Sequence, residues 1–184
     1  MSTTTIIVIV VIVLLIACYA LLYNGLVKRR NQAQEFQSQI DVQLKRRTDL
    51  IPNLLETVKG YAAHEKQTLS QIVELRNSVM NADNLQDKVN ADSQLTTALG
   101  PIMALAESYP DLKANQEFGK LMEELTNTEN KVAYARQAYN SSVQYYNTGI
   151  QTFPRNLIAH LHHFTAMVYL EIPEVEREVP KVKF

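Results

Sequence analysis

One uncharged run near the start constrains this chain more than anything after it. Ile6 to Leu22 contains only apolar and small residues plus Tyr19 and Cys18. At ~1.5 Å per residue, Thr3 to Tyr23 forms a helix of roughly 30 Å, which is the thickness of a bilayer's hydrocarbon core. No later stretch is comparably apolar. The chain is therefore expected to be tied to a membrane at its front, with the remainder folding outside the lipid.

Three processing routes fit such a run. A secretory signal wants a positive region before a shorter apolar core. Here Met1 to Thr5 lacks Lys and Arg, and the positive cluster Lys28-Arg29-Arg30 follows the run instead. Leu15-Ile16-Ala17-Cys18 looks like a bacterial lipobox, but apolar residues continue past the cysteine. A spanning helix satisfies both facts, and the positive-inside rule then puts the N-terminus outside and the body in the cytoplasm. The expected organisation is a short extracytoplasmic start (1–5), an anchor (6–27), a helical domain (28–170) and an extended tail (171–184).

The body reads as helical throughout. Only 5 Gly and 6 Pro occur in 184 residues, which favours long uninterrupted elements. Ile40, Leu44, Ile51, Leu54, Leu55, Val58, Ala62, Leu69, Ile72, Val73 and Val79 recur at threes and fours, predicting one long helix from Asn31 to about Met80. Pro52 falls inside it and removes the bond to the Thr48 carbonyl, so a kink is expected there. Arg47, Glu65 and Arg76 fall on or near the apolar stripe. They either snorkel at its edge or form interhelical ion pairs that fix register.

The polar stretch from Met80 to Gln94 is rich in Asn and Asp, which favour turns; a mobile tip loop is expected. A second helix should run from Leu95 to Tyr109, bounded by Pro110. Asp111 or Ser108 would cap a third, in which Phe118, Leu121, Leu125, Thr128, Val132, Ala135, Tyr139, Val143, Tyr146 and Ile150 keep the same rhythm. Pro154 stops it, and Arg155 to Val168 allows a short fourth. The fold class is therefore all-α: an N-terminal transmembrane helix and an elongated antiparallel bundle of three long helices plus a short C-terminal one.

No pattern of catalytic residues emerges. His64-Glu65 lacks the second histidine of a zinc-protease helix. His160, His162 and His163 form a local cluster in which His160 and His163 would share a helix face, but a metal site needs further ligands. The glycines are isolated, so no phosphate loop exists. Asp41, Asp49 and Glu65 have no partner at catalytic spacing. Lys and Arg number 18 against 19 Asp and Glu, which gives no electrostatic case for nucleic acid. The single cysteine excludes an internal disulfide. No enzyme, cofactor or metal is expected.

Two groups of residues invite binding roles. Lys28, Arg29 and Arg30 follow the anchor and would hold anionic lipid head groups at roughly 1 kcal/mol each, with Lys45-Arg46-Arg47 as a second contact. Tyr139-Asn140 and Tyr146-Asn147 lie seven residues apart and share a helix face. They are either packing residues with a polar tip or a ridge for a partner or second copy.

Several motifs together resemble the LemA family. They are Ile40-Asp41-Val42-Gln43-Leu44-Lys45-Arg46-Arg47 with Asp49-Leu50-Ile51-Pro52-Asn53-Leu54, then Lys59-Gly60-Tyr61-Ala62 and Tyr109-Pro110-Asp111-Leu112-Lys113-Ala114-Asn115. Glu129-Asn130, Ala135-Arg136, the two Tyr-Asn pairs and Phe153-Pro154 extend the likeness. The resemblance implies a bacterial membrane protein with one N-terminal span and a long helical body, hence the plasma (inner) membrane. It carries over no catalytic residues. The expected function is a non-enzymatic scaffold whose bodies pair as homo-oligomers. The alternative is a tethered adaptor or sensor that shows its hairpin tip to a soluble protein.

Overall fold

The computed structural model describes residues 2–62, 64–171 and 173. Every regular element among them is a helix: α1 (Thr3–Lys59), α2 (Lys66–Asn81), α3 (Leu85–Ser108), α4 (Pro110–Lys113), α5 (Gln116–Gln151) and α6 (Arg155–Leu161). The chain divides into two compact units. Residues 1–36 with 137–169 form the first, and residues 37–136 with 170–184 the second. Helices α1 and α5 contribute to both.

In the second unit, α1 buries Ile40, Leu44, Ile51, Leu54, Leu55 and Val58. The same unit buries Leu69, Ile72 and Val79 of α2, Val89, Leu95, Leu99 and Ile102 of α3, and Phe118, Leu121, Leu125 and Val132 of α5. Spacings of three and four keep each row on one side of its helix. Of the expected stripe only Val73 is exposed. Helices α1 and α5 run antiparallel here. Tyr61, just past the end of α1, meets Asn115 at the start of α5, and Arg46 meets Glu124 further along.

Pro52 does not end α1. The carbonyl it strips of a partner, that of Thr48, accepts a bond from Arg76 Nε at 2.8 Å. Helix α2 thus supplies the donor that the proline lacks. The expected single helix from 31 to 80 breaks elsewhere. At Gly60 the chain leaves α1, and the N–H groups of Tyr61 and Ala62 both donate to the Val58 carbonyl in a tight turn that buries Ala62. Glycine's low helix propensity selects that point. Upstream the anchor and first body helix are one element, which continues through Gly25.

The expected tip loop at 80–94 is a correction. Only Ala82, Asp83 and Asn84 lie between α2 and α3. Asn84 caps α3: its Oδ1 accepts from the Asp87 N–H at 2.9 Å, and its Nδ2 donates to Asp87 Oδ2 at 2.7 Å. The Asn- and Asp-rich composition therefore serves a cap and a buried acid, Asp92, rather than a loop. Similarly, the cap of α5 is neither Asp111 nor Ser108. Pro110 and Asp111 begin the single turn α4, and Asn115 Oδ1 then accepts from the N–H groups of Glu117 and Phe118. Gly100-Pro101 lies inside α3.

In the first unit, residues 3–20 of α1 are exposed along their whole length. This segment is long and apolar enough to cross a membrane, and none of it is buried in the protein. Just past it, Leu26 of α1 packs against Ile158 and Ala159 of α6, with Leu22, Tyr23, Ile150 and Phe164 around them. Gly149 of α5 leaves room for the Arg29 side chain. A Cβ at that position would sit 2.6 Å from Arg29 Nη1. Helix α6 ends with His163 at φ 54°, while Phe164 N–H bonds the Ala159 carbonyl and His163 N–H that of His160. This is the paired left-handed termination that satisfies a helix's last carbonyls. Of the tail, Glu171 exchanges two backbone bonds with the Gln86 side chain of α3; residues 172 and 174–184 lie outside the described residues.

Candidate functional site

The most densely charged buried point is Arg47. It stands on the α1 stripe between Leu44 and Ile51, where the three-four rhythm calls for an apolar side chain. It is 1% exposed. Nη1 donates to both carboxylate oxygens of Asp92 on α3, each at 2.9 Å, and Nη2 to Glu129 Oε2 on α5 at 3.2 Å. Three helices meet on one guanidinium, which presents donors in a fixed fork. Of the two readings given by the sequence for Arg47, the interhelical ion pair is the one observed.

Asp92 is also buried. Desolvation pushes its carboxyl above the usual carboxylate range, outweighing the opposing pull of the Arg47 charge and hydrogen bond; Glu129 adds to the rise and Arg136 subtracts. A cleft of about 270 Å³ adjoins the group, lined by Asp92, Thr96, Thr97, Glu129 and Arg136 among others. Its threonine hydroxyls are committed to their own helix: Thr96 Oγ1 donates to the Asp92 carbonyl and Thr97 Oγ1 to that of Ser93. This arrangement can hold three helices in register.

The flanking cations are also paired. Lys45 pairs with Asp49 one turn away, and Arg46 reaches Glu124 on α5 at 2.6 Å. Of the second basic cluster, Arg47 is buried, while Lys45 and Arg46 make these pairs at the exposed surface. Lys88 meets Asp41 at 2.7 Å.

The first unit holds the other sequence-selected residues. Tyr139, Tyr146 and Asn147 are buried on α5. Tyr139 Oη donates to the Val168 carbonyl at 3.0 Å and Tyr146 Oη to that of Thr165 at 2.9 Å. Asn147 bonds both backbone groups of Met167, donating from Nδ2 and accepting at Oδ1, each at 2.9 Å. Together they hold the irregular segment that follows α6. Burial raises the phenol of Tyr139 above its ordinary value; burial likewise raises that of Tyr146, opposed by Arg30. Asn140 is partly buried beside them.

Lys28 is exposed. Arg29 lies 3.6 Å above the Tyr145 ring and donates to the Tyr145 carbonyl at 3.1 Å, and Arg30 lies 5.2 Å from the Phe164 ring. His160 and His163 do not share a helix face, because α6 stops at Leu161. His162, the third member of that cluster, hydrogen-bonds Tyr19 and packs on the Tyr23 ring. Cys18 is exposed within the apolar segment. Among the described residues no three His, Cys, Asp or Glu side chains converge on a metal position.

Asp92 was missed by sequence reasoning, and Glu129 entered only through its motif. The available signal was Arg47 itself: a cation inside an apolar stripe demands buried acids from the facing helices.

The model of the LemA family matches residues 36–184. Protein LemA of Metamycoplasma hominis is 28% identical over 155 residues, covering 84% of this chain and 71% of that protein. Magnetosome protein MamQ of Magnetospirillum gryphiswaldense is 24% identical over 180 residues, covering 84% of this chain and 66% of it. Magnetosome protein MamQ 2 of Paramagnetospirillum magneticum is 25% identical over 182 residues, with 85% and 67% covered. The chain thus spans about two thirds of the length of its MamQ relatives.

Proposed function

Given that the chain belongs to the LemA family, we propose that it is a single-pass membrane protein whose helical body serves as a non-catalytic, self-assembling scaffold. The observation that carries this reading is α1. Its first part is apolar and uncovered, and the same helix continues to Lys59 and supplies the stripe on which the second unit packs. Membrane attachment and body are one covalent element. The buried charges also favour a structural role. Arg47 of α1 holds Asp92 of α3 and Glu129 of α5 by ion pairs, an arrangement suited to fixing helix register.

On this reading the N-terminus lies outside and the body lies on the cytoplasmic face of the bacterial inner membrane. Exposed Lys28 follows the apolar run, where cations accumulate on the cytoplasmic side. Copies confined to one membrane meet at high effective concentration, so weak lateral contacts suffice for assembly.

The experiment has two arms. Amine crosslinking in native membranes should give a ladder of multiples of the 20.9 kDa chain. Sizing in mild detergent at membrane-like density should agree. A strict monomer in both overturns the assembly reading. Protease added to intact cells should leave residues 28–171 uncut, and digestion of the body would reverse the orientation.

A further inference from the structure

Helix α6 is apolar on two sides. Ile158 and Ala159 are buried against Leu26 of α1. Leu157 and Leu161, one turn apart, fall on another side and are 63 and 65% exposed, and Phe153 in the turn before the helix is 80% exposed. A short helix packed on a water-surrounded protein shows polar groups on its outer face. This one shows a phenylalanine and two leucines.

We propose that this outward row lies in the interfacial layer of the bilayer, making α6 a second membrane contact beside the anchor. The inference rests on the reading that α1 spans. Its height along α1 identifies lipid as the occupant. Helix α6 packs on Leu22, Tyr23 and Leu26, which is where the uncharged run of α1 ends. His162, just past its last residue, bonds Tyr19 inside that run. At this level of α1 Leu21 is also exposed, at 74%. Tyr19, Tyr23, Phe153 and Phe164 supply the aromatic collar that marks a membrane–water boundary. Lys28 and Arg30 follow within two turns of Tyr23, at the depth of lipid phosphates. A row so placed sits ~5–10 Å below the head-group boundary, as interfacial helices do.

A lone spanning helix is free to rotate about its axis. One extra apolar contact on a single side fixes which face of α1 turns toward the membrane plane. Helix α6 would therefore set the rotation at which the first unit emerges from the bilayer.

The chain contains no tryptophan, so each introduced one is a clean reporter. Leu157→Trp, Leu161→Trp and Phe153→Trp are made in the full chain. Each is reconstituted into phosphatidylcholine–phosphatidylglycerol vesicles, with or without bromine on the upper acyl chain. Tyr134→Trp, at a 73% exposed position on α5, is the water reference, and Leu14→Trp reports on the span. The expected result is blue-shifted emission at 153, 157 and 161, most of it lost to brominated lipid and little to acrylamide, with the reverse at 134. Emission at 157 and 161 that matches 134 overturns the proposal. A blue shift that survives brominated lipid also overturns it, because protein then covers the row; reversal of that shift on diluting the protein in lipid identifies a second copy. Failure of lipid bromine near the bilayer centre to quench Leu14→Trp would sink the spanning reading itself, and is thereby told apart.

Discussion

The two units place polar side chains on otherwise apolar stripes, and they satisfy them in different ways. In the second unit the intruder is a charge. Arg47 is answered by Asp92 and Glu129, which come from two other helices. In the first unit the intruders are neutral. Tyr139, Tyr146 and Asn147 bond the backbone of the irregular segment after α6. Regular helices have few spare backbone groups along their sides, the Thr48 carbonyl freed by Pro52 being one, so Arg47 is answered by side chains. An irregular segment has unpaired carbonyls and N–H groups, and amide and phenol tips match these without burying charge. The charged solution selects which helices meet; the neutral one tethers a strand of chain.

That contrast predicts unequal penalties. Arg47→Met leaves the Asp92 carboxylate buried without its cation and should cost on the order of 3–5 kcal/mol in urea unfolding. Adding Asp92→Leu to that variant should recover most of the loss, since an apolar pair replaces a buried ionic one at little cost. If the double variant is no better than the single, the acid is not the reason Arg47 matters. Asn147→Leu removes two bonds to Met167 and should cost about 2 kcal/mol at about 1 kcal/mol each. Proteolysis between residues 162 and 171 should accelerate with it. Tyr146→Phe, which removes one bond, should cost about 1 kcal/mol by the same measurement.

The smallest effect separates the two regions by pH. Asp92 has its carboxyl raised by burial in the folded state. The folded protein therefore binds that proton more tightly than the unfolded chain, and the Asp92 contribution is fully present below the ordinary carboxylate range. It is lost as pH rises through the elevated value. The stability difference between wild type and Asp92→Asn should narrow as pH rises over that window, by about 1.4 kcal/mol for each tenfold difference in proton affinity between the folded and unfolded chains. The difference between wild type and Asn147→Leu should be flat there. A parallel slope in both would remove Asp92 as its source.

How much of this was readable beforehand follows from the same chemistry. The stripes on α1 and α5 were legible because three-four spacing is a local property: of the ten α5 positions nine are buried and Ile150 is half-buried. Both tyrosines were readable as packing residues with polar tips, but their acceptors lie about twenty to thirty residues away in a segment without periodicity. Asp92 was hidden for a better reason. In a run of Asn, Asp and Ser, a residue serving as a buried counter-charge is indistinguishable from one serving a turn until the facing Arg47 is located. The break at Gly60 was overlooked because the apolar rhythm carries across it, whereas Pro52 drew attention to a place that the fold repairs.

That repair makes one helix depend on another. A hydrogen-bond ladder interrupted at Pro52 becomes whole only when the guanidinium of the next helix arrives. The middle of α1 therefore has its full complement of hydrogen bonds only with α2 docked against it. Long as it is, this helix is completed by its neighbour.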